Sequence, residues 1–142
     1  MSSDLVPVRR VLGDFEGAWQ IARDICPEVG PPARFDGQGV WTPQAYGLAY
    51  LERGVLRMEG VAPMQAERRY QWHHDMSVFF EDGRFFHKVP AEGGHTEHWC
   101  DPDHYKVTYN FSAWPRFDVS WGVQGPRKAY QMRSLFTPLA RP

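Results

Sequence analysis

MSVFFEDGRFFHKVP, from Met76 to Pro90, sets two short apolar runs on either side of Asp82-Gly83. Asp-Gly is a preferred pair for a two-residue type I′ turn, whose central residues both need φ > 0. The stretch therefore reads as a β-hairpin. A two-residue loop fixes the register, with Glu81 opposite Arg84, Phe80 opposite Phe85 and Val78 opposite His87. Side chains alternate along a strand. Val78, Phe80, Phe85, His87 and Val89 then share one face, and Phe79, Glu81, Arg84, Phe86 and Lys88 share the other. The charges mark the second face as the wet one, with Glu81 and Arg84 as a cross-strand pair. His87 falls on the buried face.

A period of two continues outward in both directions. Toward the N-terminus, strands are expected over 67–74 (Arg68, Tyr70, Trp72 and His74 on one face), over 46–53 (Tyr46, Leu48, Tyr50, Glu52) and over 33–42 (Phe35, Gly37, Gly39, Trp41). A further strand is expected over 15–25 (Phe15, Gly17, Trp19, Ile21, Arg23, Ile25), although a helix through Trp19 also fits the spacing. Gly54 reads as a turn before a short strand at 55–59, and 60–66 as a loop around Pro63. Interior glycines in 33–42 signal close packing or a sharp bend. Toward the C-terminus come 95–100 (Thr96, His98, Cys100), 104–112 (Tyr105, Val107, Tyr109, Phe111), 116–124 (Phe117, Val119, Trp121, Val123) and 127–137 (Lys128, Tyr130, Met132, Ser134, Phe136). Ahead of them, Val8, Val11, Leu12 and Phe15 have helical spacing, so residues 4–14 are expected as a short helix capped by Asp4.

About ten short strands with regular turn signals indicate an antiparallel sandwich or barrel. Short turns between consecutive strands favour a meander, and closing it removes exposed edges. The expected fold is all-β, an antiparallel up-and-down β-barrel forming one domain over residues 1–142, with 1–14 as an N-terminal extension or short helix.

Composition narrows the function. Hydrophobic residues are 42% and charged residues 23%, ordinary for a soluble domain, while aromatics reach 15%. Such rings fill a core or line a pocket. The net charge of −1 supplies no footprint for nucleic acid or an anionic membrane. No apolar run is long enough to span a bilayer, and the N-terminus lacks the apolar core of a secretion signal. Cys26 and Cys100 form no paired motif, so two free thiols in a reducing cytoplasm are expected.

Gly17-Ala18-Trp19 resembles the Gly-x-Trp element of the lipocalin or calycin group. That resemblance implies a cation from the last strand stacked on Trp19, with Arg133 favoured over Lys128. A longer pattern resembles a bacterial family of short domains of unknown function, similar to lipocalin-like barrels in strand plan. It comprises Phe79-x-x-Asp82-Gly83-Arg84-x-Phe86-His87, His98-Trp99-Cys100-Asp101-x-Asp103-x-Tyr105, Trp114-Pro115 with Trp121, and Gly125-Pro126-Arg127-Lys128-x-Tyr130. The family pattern carries an acid after Arg127-Lys128, where this chain has Ala129. The resemblance implies a fold and no activity.

The inward faces carry many polar groups for a filled core. Buried charge costs several kcal/mol unless paired, whereas pockets combine aromatic walls with a few convergent polar groups. The candidate ligand-binding set is Arg23, Tyr50, Glu52, Arg68, Trp72, His87, His98, Tyr105, Tyr109, Trp121 and Lys128. Arg23, Arg68 and Lys128 are candidates to hold a carboxylate or phosphate; the alternative for each is internal pairing, for instance with Glu52. His87 and His98 are candidates to orient a ligand. No third ligand completes a zinc set around His98 and Cys100, and no nucleophile elbow, phosphate loop or dinucleotide fingerprint occurs. No metal and no cofactor are expected. Three readings follow. One is a cytoplasmic barrel binding a small molecule with an anionic group. Another is a cofactor-independent isomerase, cyclase or hydrolase using Glu52 or His87 as base and Tyr105 or Arg68 as electrostatic stabiliser. The third is a filled barrel with a protein or homodimer contact at an exposed Phe79–Phe86 patch.

Overall fold

The structure, a computed structural model, describes residues 8–139. Ten antiparallel strands form one sheet. They are β1 (Gly17–Pro27), β2 (Ala33–Gln44), β3 (Gly47–Met58), β4 (Val61–His73), β5 (Ser77–Phe80), β6 (Phe85–Lys88), β7 (Gly94–Cys100), β8 (Asp103–Asn110), β9 (Phe117–Gln124) and β10 (Ala129–Pro138). The lateral order is β6-β5-β4-β3-β2-β1-β10-β9-β8-β7. Each strand lies beside its sequence neighbour, and the first pairs with the last. The sheet therefore curls into a nearly closed up-and-down barrel whose seam lies between β6 and β7. These two edges approach each other without entering a ladder.

Strand alternation delivers the interior as the sequence predicts. Trp19, Ile21 and Arg23 of β1, Tyr50 and Glu52 of β3, Tyr105, Val107 and Tyr109 of β8, and Met132, Ser134 and Phe136 of β10 are all buried. Two expected breaks are instead continuous strand. Gly54 does not turn the chain; it pairs with Gly37 across β2 and β3. The two backbones approach so closely there that a Cβ on Gly37 meets the Arg53 carbonyl, the Phe35 ring and Gly54 Cα. Phe35 covers the gap that the missing side chains leave. Residues 61–66 are strand as well, because Pro63 sits at an irregularity in the β3–β4 pairing, where a missing N–H is tolerated.

Gly37→Ala is expected to destabilise the fold by about 2 kcal/mol or more, since backbone cannot move aside as a side chain can. Gly122→Ala is the control: nothing lies within 4 Å of its added Cβ. Urea midpoints of the two variants check this; equal midpoints would show that the β2–β3 contact is not tight.

The expected helix is a single 3₁₀ turn at Leu12–Phe15, and the Asp4 cap lies outside the described residues. Val8 and Val11 are exposed, while Leu12 and Phe15 drop into the barrel end. The helical spacing thus caught only one inward pair, three residues apart.

The 76–90 hairpin departs from its expected register in an instructive way. Gly83 N donates to the Phe80 carbonyl at 2.9 Å, and Phe80 N donates to the Arg84 carbonyl at 2.8 Å. The loop therefore has three residues, with Gly83 at φ 91°, the left-handed position glycine fills cheaply. Phe79 now pairs with Phe85. A one-residue bulge at Phe86 then restores the pairing of Val78 with His87. The bulge turns Phe86 and His87 both inward, and Phe86 is completely buried while Phe85 is exposed. The expected Phe79–Phe86 surface patch is corrected accordingly: Phe86 is core, and Phe79 packs half-buried against the His73 ring at 4.3 Å.

Candidate functional site

One end of the barrel is plugged by aromatic rings. Phe15 lies within 5.2–5.7 Å of Trp41, Trp72, Trp114 and Phe117. Trp19 anchors the plug by donating its indole N–H to the Phe15 carbonyl at 2.8 Å. The cation expected on Trp19 is not from the last strand. Trp19 pairs with Pro138 there, Arg133 points outward to Asp118, and Lys128 lies at the opposite end. Arg10 serves instead, 4.4 Å from the ring of Trp114, which itself packs on Trp19.

Midway up the barrel sits a buried ion pair. Arg23 donates to both Glu52 oxygens, at 2.6 and 2.9 Å, and its Nε donates to Ser134 Oγ at 2.6 Å. The Tyr50 hydroxyl donates to Glu52 Oε1 at 2.6 Å. Burial alone would raise the Glu52 carboxyl, but the Arg23 hydrogen bonds and charge outweigh it and hold the pKa below the usual range. Four hydrogen bonds thus tie Arg23, Tyr50, Glu52 and Ser134 to one another. Arg23 therefore takes the internal pairing and is not free to hold a ligand.

Arg68 differs. Alternation along β4 sends Glu67 and Arg69 outside, where they pair with each other and with Arg53. Arg68 turns inward over the Trp121 ring, 5.8 Å away, next to the Tyr70 hydroxyl. Among the described residues no carboxylate comes within ion-pair distance of it, and Glu52 feels its charge from further off. Burial pushes the Tyr70 hydroxyl up, against the pull of Arg68.

The cavity is lined by Arg23, Tyr50, Glu52, Arg68, Trp72, His87, Tyr109 and Trp121 from the expected set, together with Trp41, Tyr70, Phe86 and Ser134. About 480 Å³ of space lies between the lining atoms out to the opening, yet only about 40 Å³ admits the centre of a water-sized sphere. A cavity that takes benzene measures about 150 Å³. In this conformation the interior has room for one small group and not for a whole ring-sized molecule. Trp41, Tyr70 and Ser134 were on inward faces by alternation and could have been named; Phe86 could not, because only the bulge brings it in.

Three expected residues lie outside this cavity. Tyr105 is buried behind Phe86 and Trp121. Lys128 reaches Tyr105 Oη at 3.3 Å and Asp103 at 3.2 Å. Asp103 also packs so tightly on Gly125 that a Cβ there would collide with it. The Gly125–Lys128 and His98–Tyr105 motifs thus meet as a structural corner. His98 is half-buried beside Phe85 at the seam.

His87 is a further buried titratable group. Its Nε2 lies 2.8 Å from the Tyr109 hydroxyl. Burial, and secondarily the nearby His98, lowers its pKa to about 3; burial drives the Tyr109 hydroxyl strongly upward. His87 is neutral at pH 7. Neither His87 nor Glu52 has the near-neutral pKa suited to acid–base work at pH 7. Both cysteines are free, and among the described residues no three His, Cys, Asp or Glu side chains gather as a metal site. No helix of the described residues is long and apolar enough to cross a membrane.

No curated protein matches the chain. Among solved structures it is similar to the S-type phycobiliprotein lyase CPES from Guillardia theta, with a TM-score of 0.65, 5% identity and coverage of 92% of each chain. At that identity the likeness speaks for the lipocalin-like barrel and not for a shared activity. The family resemblance read from the hairpin and turn motifs has a direct counterpart: a sequence model matches residues 15–138, and the chain belongs to a family of unknown function, DUF6314.

Proposed function

We propose that this barrel binds a small molecule carrying an anionic group, held at the open end by Arg68 between Trp121 and Tyr70. The observation that carries the reading is the charge balance of the interior. Arg23 is matched by Glu52 and Lys128 by Asp103; Arg68 is left unmatched over an aromatic ring. Retaining an unpaired guanidinium on a half-buried wall is costly unless something pairs with it. A carboxylate or phosphate does so through the planar fork of the side chain. The fold of the phycobiliprotein lyase supports a small-molecule barrel in general terms. The small interior volume supports a ligand seated mainly in the mouth, with one end inserted.

The test is a fluorescence titration, for which Trp41, Trp72 and Trp121 in the cavity wall are the reporters. The probes are 4-isopropylbenzoate and its neutral amide. Arg68→Met is expected to weaken the benzoate roughly ten- to a hundredfold, the loss of one charge-assisted hydrogen-bonded contact, and to leave the amide unchanged. Equal affinities of the benzoate for wild type and variant would remove Arg68 as the anchor.

A further inference from the structure

An anion at the mouth leaves two buried nitrogens of the cavity lining unexplained. Trp41 Nε1 and His87 Nδ1 have no hydrogen-bond partner among the described residues. Both residues are almost fully buried, at 2% and 3% exposure, and both line the interior cavity. Buried polar groups are nearly always satisfied, so two open ones on a single cavity ask for an occupant.

Hydrogen-bond accounting gives the sense of each. An indole N–H only donates. The Tyr109 hydroxyl is buried and must place its proton on an acceptor; His87 Nε2, at 2.8 Å, is the partner it has. If Nε2 accepts, the proton of the neutral imidazole is on Nδ1. Both open groups are then uncharged N–H donors. Any group that pairs with them must accept. With Arg23 already paired to Glu52, no free cation besides Arg68 lines the cavity among the described residues to balance a second negative charge.

We infer that the inner end of the cavity receives an uncharged carbonyl oxygen, of a ketone or an amide, from Trp41 and His87. The inference rests on the mouth reading above. Together they describe an elongated molecule with an anion at one end and a neutral acceptor at the other. The narrow space of about 40 Å³ suits the insertion of one small group.

The experiment compares 4-acetylbenzoate with 4-isopropylbenzoate. The two share the anion, the ring and nearly the same outline, and only the acetyl group carries an acceptor. Wild type is expected to bind the acetyl compound about tenfold more tightly, and Trp41→Phe to bring the ratio close to one. In wild-type protein labelled with ¹⁵N-tryptophan, one indole N–H resonance moves downfield with the acetyl compound and not with the isopropyl compound. That readout needs no variant, so it stands even if Trp41→Phe fails to fold. Equal affinities with no indole shift overturn the inference and assign the two N–H groups to buried water. In that case a benzoate affinity still sensitive to Arg68→Met leaves the mouth reading in place. Failure of both compounds to bind at millimolar concentration overturns both.

Discussion

Glu52→Leu is expected to destabilise the protein by about 3–5 kcal/mol, the cost of leaving a buried charge without its partner. That is a large part of the 5–15 kcal/mol that holds a domain of this size together. The stranded group is Arg23, whose guanidinium is held by Glu52 on one side and Ser134 on the other, against the Phe35 ring. Neither water nor another carboxylate replaces Glu52, because both side chains are nearly fully buried, at 6% and 3% exposure. The size of the loss does not mean that the pair stabilises the fold by the same amount. Removing both charges is a different experiment, since each partner's desolvation cost disappears with it. Arg23→Met with Glu52→Leu is expected to recover at least 2 kcal/mol of the single-variant loss. It stops short of wild type because the Tyr50 and Ser134 hydroxyls lose their partners, at about 1–3 kcal/mol for a buried group. Urea denaturation of the three proteins checks this. A double variant no more stable than Glu52→Leu would mean that the pair contributes more through packing than through charge.

How much of this could be read from the chain follows from what alternation records. A period of two says which side of a strand a residue occupies. It placed Arg23, Glu52, Arg68, Trp72 and Tyr109 inside the barrel, where they lie. It does not say which inward groups meet, because that depends on strand register across the sheet. Arg23 and Glu52 belong to different strands, and β2 lies between them. Their pairing was one option among several in the sequence; the structure makes it the one that removes Arg23 from ligand duty. Register within the hairpin failed for a local reason. A three-residue loop and a one-residue bulge each shift the pairing by one and cancel at Val78 and His87, so His87 was placed correctly and Phe86 was not. Glycine and proline signal a break at Gly125-Pro126, where the chain does turn, and mislead at Gly54 and Pro63. Gly54 is there to let two backbones touch, and Pro63 occupies a position where no donor is required. The cation near Trp19 was sought on the last strand, but Arg10 reaches the plug from the segment before the barrel, a contact that no strand pattern encodes.

His87 gives the fold a pH dependence whose sign is fixed by its burial. The unfolded side chain titrates near pH 6.5, whereas the folded one stays neutral down to about pH 3. Between these values the unfolded state binds a proton that the folded state refuses. Stability is therefore fully present above pH 6.5 and falls as the pH drops toward 3, at a limiting slope of about 1.4 kcal/mol per pH unit. From pH 7.5 to pH 5.0 the loss from this one group comes to about 2 kcal/mol. Above pH 5 most carboxylates remain ionised, so the window isolates histidine. His98 also titrates with a lowered pKa, through burial, and its contribution is common to wild type and a His87 variant. His87→Gln keeps a neutral polar group beside Tyr109 and removes the titration. Its stability at pH 7.5 is expected to be lower, but its change between pH 7.5 and 5.0 should be smaller than wild type by about 2 kcal/mol. Urea unfolding at the two pH values measures that difference directly. Parallel pH dependence in the two proteins would mean that the folded barrel admits a proton at His87, and that Nδ1 faces a route for water. A carbonyl that accepts from Nδ1–H needs only that proton in place, and His87 keeps its neutral form through this window. The expected consequence is that binding of an anionic probe survives down to pH 5 for as long as the fold does, and is lost together with it rather than before it.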